Sequence, residues 1–184
     1  MTISKDFRDK VIAAIPSLRA FGLSLTARAD RADDLVQETL MKAWKHYDSF
    51  EPGSNIKAWL YTILRNEFYS QLRKRKREVE DADGFYSGKI AVNGEQEGHL
   101  HMADLRAALI KLPEDQREAL MLVGASGFSY EEAAEICKVA VGTIKSRVNR
   151  GRAKLVELLD IGDNEKFGPD SRSEAVLNKA TGTR

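Results

Sequence analysis

The chain has 184 residues, 42% hydrophobic and 31% charged, which suits one or two small globular domains. A formal net charge of +1 selects no partner, and a lone cysteine excludes an internal disulfide or a cysteine-built zinc site. No apolar run approaches membrane-spanning length and no signal-peptide core opens the chain, so the expected compartment is the cytoplasm.

Helical spacing recurs and strand signals are weak, which predicts an all-α fold. A first helix is expected from about Ser4 to Ala14, with Phe7, Val11 and Ile15 on one side. Pro16 is expected to break or restart it, because proline lacks an N–H and suits a first turn. Leu18, Phe21 and Leu25 continue the apolar stripe. Asp30 is the expected N-cap of the next helix, with Asp33 and Asp34 in its first turn. The core stripe there is Val36, Leu40, Ala43, Trp44 and Tyr47. Asp34, Gln37, Glu38 and Met41 share another face, which is either solvated surface or a docking surface. Residues 48–55 form a loop around Pro52-Gly53.

A third helix buries Ile56, Leu60, Ile63, Leu64, Phe68 and Leu72. Its other face carries Lys57, Trp59, Tyr61, Arg65, Asn66 and Tyr69, then the run Arg73-Lys74-Arg75-Lys76-Arg77. Aromatic and basic groups interleaved in this way suit single-stranded DNA, where bases stack and phosphates pair. Core packing is the other reading of Trp59 and Tyr61. The composition then changes. Residues 78–103 hold six acidic side chains against the single Lys89, punctuated by glycine. This predicts a flexible linker between a first domain at 5–77 and a second at 104–160, with weak contacts between the two. His99 and His101 lack companions for a metal and are expected to be plain linker residues.

In the second half, Leu105, Leu109 and Leu112 make a helix ended by Pro113, which also suits the first position of the next helix. Ala119, Leu120, Leu122 and Val123 are its expected core face, and Gly124 and Gly127 end it. Ser129 with Glu132 forms a capping box. The helix it starts runs to about Cys137, with Ala133, Ala134, Ile136 and Cys137 inward. After Lys138-Val139-Ala140 another helix opens near Val141. Its buried stripe is Ile144, Val148 and Leu155, with Gly151 near the seam. No acidic residue occurs between Val141 and Leu155. A helix–turn–helix has this arrangement: the first helix braces and the second meets DNA. Lys145, Ser146 and Asn149 fall on one face near its start, where they can address base edges. Arg147, Arg150, Arg152 and Lys154 supply cations for phosphates. An amphipathic helix with a solvated basic face is the alternative. The tail, 161–184, is polar and expected to be disordered.

Three stretches together resemble the sigma factors of bacterial RNA polymerase, in particular the extracytoplasmic-function group. They are Asp33-Asp34-Leu35-Val36-Gln37-Glu38-Thr39; Leu112-Pro113 with Arg117-Glu118-Ala119-Leu120; and Ser129 to Ala134 followed by Val141 to Arg147. The resemblance spans roughly Ile12 to Leu159. It implies two helical domains, sigma regions two and four. The sequence holds no nucleophile–base set, phosphate loop or metal cluster, so no enzymatic activity, cofactor or metal is expected. The resemblance also implies that Asp34, Gln37, Glu38 and Met41 meet the clamp of the largest polymerase subunit. The loop with Phe50 and Asn55, and then Tyr61, Arg65, Asn66, Arg73 and Lys74, would meet the promoter −10 element. Lys145, Ser146, Arg147, Asn149, Arg150 and Arg152 would meet the −35 element. Asn149 stands where the group varies, so no base preference is implied. The stretch from Ala58 to Asn66, with the basic run and Arg77-Glu78-Val79-Glu80-Asp81, resembles the EcfG general-stress group. That group is held by the small anti-sigma protein NepR and released by PhyR. Two other readings are a sigma-mimic adaptor that binds an anti-sigma protein and never DNA, and a stand-alone helix–turn–helix regulator.

Overall fold

The structure, a computed structural model, describes residues 4–80 and 97–159, with side chains over 4–77 and 103–159. The acidic stretch at 81–96, the tail from 160 and the side chains of His99 and His101 lie outside the described residues. Those described form seven α-helices, a short 3-10 turn and one π turn.

Helix α1 spans Lys5–Thr26. Ser4 caps it, its hydroxyl accepting the Phe7 N–H at 3.2 Å. Pro16 does not break it, contrary to the expectation from sequence. The ring faces solvent, so water can meet the carbonyl that proline leaves without its helical donor. The buried stripe of Val11, Ala14, Leu18 and Phe21 carries the helix through the defect. Helix α2, Ala29–Lys45, begins just before the expected cap. Ala27 takes the left-handed conformation at φ 60°, which leaves Arg28 extended as the cap residue. Asp30 therefore lies inside the first turn and pairs with Arg28 at 2.6 Å.

Helix α3, Ile56–Glu80, packs on α1 and α2. Phe7 is the hub of this corner, with ring centroids 4.7 Å from Tyr47, 5.4 Å from Phe50, 5.7 Å from Trp44 and 6.1 Å from Trp59. Trp59 is thus a packing residue, and Phe50 is half-buried in the same knot.

Helix α4 spans Glu97–Lys111 and starts before the boundary expected at Asp104. Once Ala108 and Leu112 are packed, extension toward the N-terminus needs no new nucleus. Pro113 caps α5, Glu114–Leu120, which runs into a π turn at Met121–Ala125. The buried Arg117 guanidinium donates to the Ile110 carbonyl at 2.9 Å and fixes the α4–α5 corner. Helix α6 is Tyr130–Cys137 and α7 is Val141–Leu158.

The largest departure from the sequence reading is the relation between the halves. Weak contacts were expected; instead one apolar core runs from Phe7, Phe21 and Leu64 through Tyr61 to Phe128, Leu122 and Val148. The composition of a connecting stretch carries no information on the complementarity of the faces on either side of it.

Candidate nucleic-acid interface

The helix–turn–helix is built locally. The Ser129 hydroxyl accepts the Glu132 N–H at 3.0 Å, and the Glu132 carboxylate accepts the Ser129 N–H at 2.9 Å. This reciprocal cap starts α6 and is worth about 1 kcal/mol. Lys138, left-handed at φ 55°, ends it. Ile144, Val148 and Leu155 then bury α7 against α5 and α6. Gly151 lets α5 and α7 approach: a Cβ there would lie 2.6 Å from Leu120 Cδ1.

What remains outside on α7 is the basic face. Lys145, Ser146, Asn149, Arg150 and Arg152 are exposed. The Lys145 ammonium stands 5.8 Å from the Tyr130 ring centre, which steadies a flexible side chain across the turn. Arg150 leans on Ser146, its Nε 3.3 Å from the Ser146 carbonyl. Arg147 does not join this face. It pairs with Asp115 of α5 at 3.1 Å and its side chain is only 19% exposed.

The stripe on α3 is arranged differently. Lys57, Tyr61, Arg65 and Tyr69, spaced four apart, all face the second half. The Lys57 ammonium donates to the Ser126 carbonyl at 2.6 Å. Tyr61 is fully buried, stacked on Phe21 and edge-on to Phe128, with both centroids at 4.9 Å. Its hydroxyl lies 3.1 Å from both the Ser17 carbonyl and Ser126 Oγ. Arg65 Nε donates to Glu118 at 2.8 Å, and the Tyr69 hydroxyl meets the other Glu118 oxygen at 3.3 Å. Asn55 caps α3 through its Oδ1, 3.2 Å from the Ala58 N–H, while its Nδ2 donates to Glu132 at 2.7 Å. Of the residues assigned to the −10 element, Tyr61, Arg65 and Asn55 are therefore engaged with α1 or the second half. Asn66, Arg73 and Lys74 stay exposed.

Sequence reasoning missed the other side of this seam: Glu118, Ser126, Phe128 and Glu132. A signal existed for Glu118. It precedes Ala119 and lies four residues before Leu122, inside the apolar stripe of α5, and a carboxylate there calls for a partner. Its side chain is 1% exposed. Burial pushes its carboxyl up, opposed by the Arg65 charge. Burial and the Glu118 charge push the Tyr69 hydroxyl above its usual range, and the neighbouring Cys137 thiol up to about 12. The thiol is thus a buried packing group, not a nucleophile at neutral pH.

On α2, Asp34, Gln37, Glu38 and Met41 form an open face, with Met41 57% exposed. Among the described residues no His, Cys, Asp and Glu cluster could hold a metal. No described helix is long and apolar enough to cross a membrane.

Residues 12–78 match the family profile of Sigma-70 region 2, and 102–155 that of Sigma-70, region 4. The chain is 61% identical to the ECF RNA polymerase sigma factor EcfG of Rhodopseudomonas palustris, over 96% of this chain and 98% of that protein. It is 34% identical to SigM of Bacillus subtilis, covering 79% and 90%. Among solved structures, the sigma factor RpoE in complex with the anti-sigma factor NepR from Bartonella quintana is similar at 58% identity. The TM-score is 0.80, with 86% of this chain and 99% of that chain covered.

Proposed function

The chain belongs to the ECF RNA polymerase sigma factors, and we propose that it is a general-stress member of the EcfG type, acting in the cytoplasm and held inactive by an anti-sigma protein of the NepR kind. Sigma factors bind core RNA polymerase and promoter DNA; they are initiation factors, not enzymes.

One observation carries the assignment of parts: α7 packs its apolar stripe completely and leaves its basic face open. Lys145, Ser146 and Asn149 address −35 base edges, and Arg150 and Arg152 hold phosphates. Arg147 sets the tilt of α7 through Asp115. The open α2 face of Asp34, Gln37, Glu38 and Met41 meets the polymerase clamp. The −10 strand is met by α3 and the loop before it, with Phe50, Asn55, Tyr61, Arg65, Asn66, Arg73 and Lys74 as its contacts. The units are region two at 5–77 and region four at 104–160.

Support for the regulatory part comes from the EcfG relative and from the NepR-bound structure of the similar RpoE. Run-off transcription with core polymerase tests the reading. The chain should confer initiation at a stress promoter, and a NepR-type protein should abolish it. Absence of initiation by the folded chain overturns the reading.

A further inference from the structure

Among the described residues, five side-chain hydrogen bonds cross from the first half to the second. They join Asn55 to Glu132, Lys57 to the Ser126 carbonyl, Tyr61 to Ser126 Oγ, and Arg65 and Tyr69 to Glu118. Four of the five have the same polarity. In those four the first half supplies the donor and the second half an oxygen that accepts; the Tyr61 hydroxyl gives its one proton to the Ser17 carbonyl and accepts from Ser126. Two of the donors are cations and two of the acceptors are carboxylates. An aromatic ring, Phe128, lies edge-on against Tyr61 in the middle of the row. A row of donors and cations with an aromatic at its centre is also what a single DNA strand requires, because phosphates and base edges offer acceptors and bases offer rings.

From this matched polarity we propose that the second half acts as a stand-in for the DNA strand on α3, with the Glu118 carboxylate occupying Arg65 where a phosphate would sit. This rests on the assignment of α3 to the −10 strand made above. The seat is built to exchange. A buried ion pair contributes little net stability, because desolvation offsets attraction, yet leaving either partner unpaired is costly. Separation in water satisfies Glu118 by hydration, and a strand then satisfies Arg65. The chain alone thus holds its −10 face covered, and a promoter must displace Glu118 and Phe128 to engage it.

The test uses the full chain and Glu118→Gln, which keeps shape and hydrogen bonding but removes the charge. Glu131→Gln is the control, since Glu131 is exposed at the start of α6 and makes none of the five contacts. Ser126→Ala, which removes the hydroxyl that meets Tyr61 across the seam, serves if Glu118→Gln lowers the melting temperature sharply. Two quantities are read: the radius of gyration by small-angle scattering, and binding of a fluorescent mixed-sequence single-stranded oligonucleotide of about 12 nucleotides. The expected result for Glu118→Gln is a larger radius and about tenfold tighter binding, the order of a lost charge-assisted hydrogen bond. Glu131→Gln should change none of these. Tighter binding without expansion overturns the proposal, as does the same gain in Glu131→Gln, because either is a simple charge effect. Unchanged dimensions and affinity also overturn it. Expansion without tighter binding overturns the competition; run-off transcription by the same variant then shows whether the sigma assignment itself survives.

Discussion

Helices α3 and α7 each carry a stripe of basic side chains on a helix whose other face is apolar. In the folded chain their fates are opposite. On α7 the stripe of Lys145, Asn149 and Arg152 is open to solvent. On α3 the stripe of Lys57, Tyr61, Arg65 and Tyr69 is closed against α5, the π turn and α6. The difference lies in what stands opposite. Glu118 and Glu132 offer carboxylates to α3. On α7, among the described residues, Arg147 finds such a partner in another helix, Asp115, while Lys154 pairs within α7 with Glu157. A basic helix face is therefore not by itself a ligand face; it is one when the rest of the fold supplies no anion.

The most severe way to break this comparison is Arg65→Met. It leaves the buried Glu118 carboxylate without its cation, and removal of one partner of a buried pair costs about 3–5 kcal/mol. Urea denaturation should show a loss of about 3 kcal/mol, toward the low end because the Arg65 side chain keeps 17% exposure. Arg150→Ala on the open stripe should change stability by less than about 0.5 kcal/mol in the same assay. Equal effects would erase the contrast between the two helices.

The open stripe is sharpened by DNA binding. Lys145→Ala should lose about 1–3 kcal/mol of −35 duplex affinity and relax preference at one base pair. Arg150→Ala should weaken all sequences alike and reduce the slope of affinity against salt. If neither substitution changes duplex binding, α7 is a solvated face and not a reader.

Gly151→Ala probes the seam behind α7. The added methyl would crowd Leu120, and overpacking costs about 1–3 kcal/mol, while replacing a helical glycine with alanine returns about 1 kcal/mol. A net loss of about 1 kcal/mol is expected in thermal unfolding, with weaker −35 binding because α7 is displaced. A stabilised variant would show that Leu120 yields freely. The smallest effect on stability belongs to α2. Gln37→Lys with Glu38→Lys should shift stability by less than about 0.5 kcal/mol, because both side chains are exposed. Pull-down of core polymerase should nevertheless be lost. A retained pull-down would remove the α2 face from the docking surface.

The sequence by itself determined the features that local chemistry controls. The all-α class followed from apolar spacing, and the α6–α7 motif from the Ser129–Glu132 box, the break at Lys138 and the stripe of Ile144, Val148 and Leu155. These depend on groups within a few residues of one another, so the string contains them. Pro16 and Asp30 depart from simple residue preference: a buried stripe carries α1 through the proline, and the left-handed Ala27 moves the start of α2. The seam was the part only tertiary structure decided. Arg65 and Glu118 lie 53 positions apart, and Asn55 and Glu132 lie 77 apart. Nothing in the spacing of either helix states which carboxylate will meet which cation. That pairing is set when α3 and the second half bury their faces together. Desolvation then leaves each polar group on the seam to find a partner or disrupt the core.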